Sequence, residues 1–153
     1  MLEIAVAQFG KLRYRRMTMR QIAGRIHIGL AWLLFLGCCL ALYLIAVSVF
    51  GGGSTQNHGA FGRILFLVSL VMLIASLVCR SSKLNVGLSV LVPVLFFVQG
   101  MFVYMPPLTP TIRALHALNG LAIMGICYTL AHGRARATVT SKQSSVTSYQ
   151  AGD

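Results

Sequence analysis

Two histidines in this chain each precede a glycine by four residues, His58 with Gly62 in H-G-A-F-G and His116 with Gly120 in H-A-L-N-G. Four residues are about one helical turn, so each imidazole shares a helix face with its glycine. Imidazole ligates metals through either ring nitrogen. A glycine one turn away removes side-chain bulk where a flat macrocycle must approach the backbone. The chemistry this pattern fits is a haem b held by His58 and His116 as its two axial ligands. The plainer alternative makes both histidines interfacial residues that cap helix starts, with the glycines tightening helix packing.

Three polar residues are placed to assist such a site. Arg113 lies one turn before His116, where a guanidinium can pair with a haem propionate. Arg63 has a similar depth but lies about 140° round its helix from His58. Gln99 can donate to a propionate or fix an imidazole tautomer. Snorkelling arginines and an interhelical glutamine bond are the plain readings of the same residues. His27 and His132 invite a second haem, but His132 is turned about 160° from the His116 face, so interfacial roles are expected for both.

The elements that must position these residues follow from composition. The chain has 153 residues, is 57% hydrophobic and has a mean hydropathy of +0.80, which places it among membrane proteins rather than soluble domains. Four apolar runs, 26–50, 59–79, 85–105 and 111–131, are each about 20 residues or slightly longer, enough to cross a hydrocarbon core of about 30 Å. Pro93 predicts a kink in the third, and Pro106, Pro107 and Pro110 end it. Connections this short predict an all-α, up-down-up-down bundle in which the second and fourth helices lie diagonally, with axes about 14 Å apart. Two imidazoles and an iron fit such a gap.

The net charge of +11 marks topology rather than nucleic acid binding, because the basic residues lie in flanks between apolar runs. Lys11, Arg13, Arg15, Arg16, Arg20 and Arg25 precede the first run, Arg80 and Lys83 separate the second and third, and Arg134, Arg136 and Lys142 follow the fourth. By the positive-inside rule both termini are cytoplasmic, in the cell inner (plasma) membrane. Three segments result: a basic cytoplasmic stretch 1–24, with Met17 or Met19 as alternative starts, a transmembrane domain 25–132, and a disordered tail 133–153.

The only carboxylate side chains, Glu3 and Asp153, sit at the extreme ends, which excludes an acidic proton relay within the membrane. Cys38, Cys39, Cys79 and Cys127 form no C-x-x-C-H, which excludes covalent haem attachment and leaves them as small buried apolar residues.

V-Q-G-M-F-V from Val98, the proline-rich loop, and L-H-A-L-N-G from Leu115 resemble the third-to-fourth helix segment of one half of haem A synthase, a cytochrome b561-like haem bundle. His58 with its H-x-x-x-G resembles the preceding ligand helix. The layout is also similar to an uncharacterised bacterial family of four-helix membrane proteins with H-x-x-x-G and L-H-x-x-N in equivalent places. The resemblance covers 26–131 and implies axial ligands at His58 and His116. It departs from haem A synthase in having one four-helix half, Thr55 where an acidic residue is usual, and no paired cysteines in the first outer loop.

The expected function is therefore a membrane b-type cytochrome in electron transfer, with a quinone or redox protein as partner beside the lipid bilayer. A half-sized haem-A-synthase-like enzyme acting as a homodimer, and a haem-free subunit of a larger membrane complex, are the alternatives.

Overall fold

The computed structural model describes the backbone of residues 2–104 and 109–150 and the side chains of 19–103, 109, 112 and 114–133. Four helices make up the fold: α1 (Leu2–Phe50), α2 (Gln56–Val78), α3 (Lys83–Tyr104) and α4 (Pro110–Gln150). No strand occurs among the described residues. The stretches Met19–Phe50, Gln56–Val78, Lys83–Val103 and Ala114–Gly133 are long and apolar enough to cross a membrane.

Helix ends differ from the sequence reading where punctuation is missing. Neither Gly10 nor Gly24 stops α1, so the basic stretch 1–24 is continuous with the first span. Likewise α4 runs on to Gln150 through the segment expected to be a disordered tail, with no proline past Gly133 to interrupt it. Pro110 opens α4 instead of closing the preceding loop, which suits a residue with fixed φ and no N–H to satisfy. Pro106 and Pro107 lie outside the described residues.

Each consecutive pair of helices packs together and α4 closes the ring against α1, so α1 faces α3, and α2 faces α4, across the centre. Every helix contributes at helical spacing. Leu34 of α1, Met72 of α2, Val92 of α3, and Ile123 and Leu130 of α4 are all under 2% exposed. Large apolar side chains such as Leu36, Leu67, Ile74, Phe97 and Leu118 point outward, the reverse of a soluble bundle. The cysteines divide: Cys38 and Cys127 join the core as expected, whereas Cys39 is exposed and Cys79 half-buried. Adjacent residues stand about 100° apart on a helix, so Cys38 and Cys39 cannot both face inward.

The α2–α3 turn is a Schellman motif built on an arginine. Ser81 N–H donates to Ser76 O at 3.2 Å and Arg80 N–H to Leu77 O at 3.1 Å, with Arg80 at φ 50°. A left-handed backbone costs a non-glycine residue about 1–2 kcal/mol. Arg80→Gly is expected to stabilise the bundle by about 1 kcal/mol, read as resistance to denaturant in detergent micelles.

Candidate functional site

The site starts with how α2 begins. Gly51–Ser54 leads into it, with Gly52 at φ +68°, a conformation that favours glycine. Ser48 Oγ lies 3.0 Å from Ser54 O and 2.9 Å from Leu44 O, and Ser54 Oγ accepts the Gln56 N–H at 3.1 Å. These bonds tie the connection to the end of α1 and set His58, in the first turn of α2, against it. His58 Nδ1 then donates to the Ala41 carbonyl at 2.9 Å.

His116 occupies the second turn of α4 and is held by α3. Its Nδ1 donates to the Gln99 carbonyl at 3.3 Å, while Gln99 Nε2 donates to the His116 carbonyl at 3.0 Å. Asn119 Nδ2 donates to Leu95 O at 2.9 Å and to Gln99 Oε1, which fixes the glutamine amide. Gln99 therefore grips His116 twice, and Asn119 holds Gln99.

The two imidazoles meet across the α2–α4 diagonal, half-buried, with ring centroids 6.0 Å apart and planes at 62°. A carbonyl oxygen only accepts, so each Nδ1 carries the proton and each neutral ring keeps its lone pair on Nε2. This is how proteins prepare histidine for a metal, with the distal nitrogen bonded to a carbonyl so that tautomer and ring orientation are fixed. The spacing fits as well. An imidazole nitrogen sits ~2.0–2.1 Å from a bound metal and about 1.1 Å from its own ring centre, so two imidazoles opposed on one metal have centres ~6.3 Å apart.

Of the two glycines, Gly62 has open space where a Cβ would stand, as a cradle for a flat group requires. Gly120 differs. A Cβ there would lie 3.5 Å from Gln99 Nε2, in ordinary contact with the glutamine amide. Gln99 likewise fixes the His116 tautomer, through its main-chain carbonyl, while its amide is engaged with His116 O instead of a propionate. Arg63 is exposed, and the side chain of Arg113 lies outside the described residues.

The other histidines separate. His132 is half-buried between Trp32 and Tyr128, with centroids at 4.9 and 4.1 Å, in keeping with an interfacial place. His27 does not fit the interfacial expectation. It is fully buried, with Nε2 3.0 Å from Ser89 Oγ across the α1–α3 diagonal. Ser89 Oγ gives its one proton to Asn85 O at 2.7 Å, so His27 is the donor to Ser89. Sequence reasoning missed this bond, and it missed Asn119 as a holder of the site. The L-H-x-x-N spacing was the available signal for Asn119, since it sets an amide one turn beyond His116.

No curated protein and no solved structure matches the chain. Residues 41–106, which include His58, Gly62 and Gln99 but stop short of His116, match the model of DUF6220, a family of unknown function; this is compatible with the uncharacterised-family resemblance and adds nothing for haem A synthase.

Proposed function

We propose that this chain is a multi-pass protein of the cell inner membrane, an up-down-up-down bundle with both termini cytoplasmic, which binds one haem b between His58 and His116 near the extracytoplasmic face and serves in electron transfer. The observation that carries the reading is the facing pair of imidazoles, each with its Nδ1 proton bonded to a carbonyl and its Nε2 lone pair left for a metal. His58 and His116 would hold the iron of such a group between them. The topology rests on the basic flanks and on the apolar outward faces of the four helices.

When bound, the haem would supply reversible one-electron exchange, with His58 and His116 as the residues that would hold it. The chain's own residues do the rest. His58 and His116 bind, and their Nδ1–H bonds raise ligand basicity, which favours the oxidised metal. Gln99 and Asn119 keep the His116 ring in its rotamer, and Gly62 leaves room beside His58. Arg113 is assigned to the propionate edge from its depth alone, whereas Arg63 lies about 140° round α2 from His58 and is left out. A site near one surface does not span a core of about 30 Å, so a quinone, a redox protein or another membrane subunit completes the path.

The test is purification in mild detergent from haem-replete cells, followed by haem extraction and reduced-minus-oxidised spectra. One b-type haem per chain is expected; a colourless protein sinks the reading.

A further inference from the structure

A second surface lies at the opposite end of the bundle, on the seam between α1 and α4. Along α1, Arg25, Gly29, Trp32 and Leu36 fall within about 60° of one another, forming a stripe that is charged at one end and apolar at the other. Arg25 is exposed, Trp32 is 36% exposed and Leu36 58%, while a Cβ at Gly29 would meet nothing, so the stripe has a gap between cation and indole. From α4, Tyr128 and His132 close against it: Trp32 stands 4.9 Å from the His132 ring and 6.3 Å from that of Tyr128. Tyr128 is 48% exposed, and Leu121 and Leu118 continue outward from it along α4.

Depth and charge say what this surface meets. Arg134 and Arg136 follow His132 directly in the sequence, so the aromatic group lies near the membrane boundary, where amphipathic rings prefer to sit. Exposed Arg20, Arg25, Arg80 and Lys83 gather at this end. The chain's only acidic side chains are Glu3 and Asp153, at its two extremes, so the anion that complements Arg25 comes from outside the protein.

We propose that the seam at Arg25, Trp32, Tyr128 and His132 is a binding site for an anionic phospholipid. Arg25 takes the headgroup phosphate through its guanidinium fork. The Gly29 gap admits the glycerol region beside Trp32, and an acyl chain lies along Leu36 and Leu121. The site rests on the reading that the four helices cross a membrane and is independent of the haem.

Trp32 is the only tryptophan in the chain, so its fluorescence reports the lipid at the site directly. The full chain is reconstituted in mixed bilayers in which either phosphatidylglycerol or phosphatidylcholine carries brominated acyl chains at equal mole fraction. One cation near the surface contributes about 1 kcal/mol of attraction, so the anionic lipid is expected to be preferred about fivefold at the site. Arg25→Gln should bring the two lipids to parity, with quenching by brominated phosphatidylcholine unchanged as a sign of intact packing. Arg80→Gln, on the α2–α3 turn, should leave the preference in place. Equal quenching by both lipids in the wild type, or a preference that Arg25→Gln does not reduce, overturns the proposal. Bound haem quenches Trp32 alike in both bilayers and cancels in the ratio, so the haem reading and the lipid site fail separately.

Discussion

Alanine at His116 or at His58 is expected to abolish the b-type absorption band, with haem content falling more than tenfold in either variant. The expectation follows from how the pair is built. The two rings stand with centroids 6.0 Å apart, and each is oriented by a carbonyl at its Nδ1, Ala41 for His58 and Gln99 for His116. Truncating either would leave a single imidazole to hold the haem. Second-shell losses alone cost metal sites about 10–100-fold in affinity, so a lost ligand costs more. Imidazole added to the growth medium should restore part of the band, since the space vacated by the ring matches the small molecule. His132→Ala should keep the band, because His132 packs against Trp32 and Tyr128, well away from the pair. His27→Gln should keep it as well, since His27 is bonded to Ser89 on the other diagonal.

The second large effect is expected at Gln99. Leucine there preserves bulk and the main-chain carbonyl that accepts from His116 Nδ1, but removes the amide that donates to His116 O and accepts from Asn119. Asn119 would keep its bond to Leu95 O and lose its second partner. Haem affinity should fall about 10–100-fold, measured by haem titration of the apoprotein. Asn119→Leu should act in the same direction and more weakly, and the double variant should lose less than the sum, because both residues serve one network. An affinity unchanged by Gln99→Leu would mean that the clamp serves helix packing alone.

Much of the arrangement was legible in the residues because helical periodicity is a strong signal. Helical spacing sets Leu65, Ser69 and Ser76 on the His58 side of α2, and Ile123 and Cys127 on the His116 side of α4, and all five are buried. The diagonal placement of α2 and α4 followed from short connections. What escaped were contacts between distant positions. Nothing in the sequence joins His27 to Ser89, and a histidine at the edge of an apolar run reads as interfacial until its partner on α3 is known. The ends of α1 and α4 ran past their expected limits because hydropathy marks where a span stops, whereas a helix stops only where the backbone is interrupted.

The most direct test of the central claim is electron paramagnetic resonance of the oxidised, haem-loaded protein. Two imidazole nitrogens on one ferric iron would give a low-spin signal. The expected result is this low-spin signal in the wild type and its conversion to high spin, or its loss, in His58→Ala and His116→Ala. A high-spin ferric signal in the wild type, or a low-spin signal indifferent to both substitutions, would contradict the proposed pair of ligands.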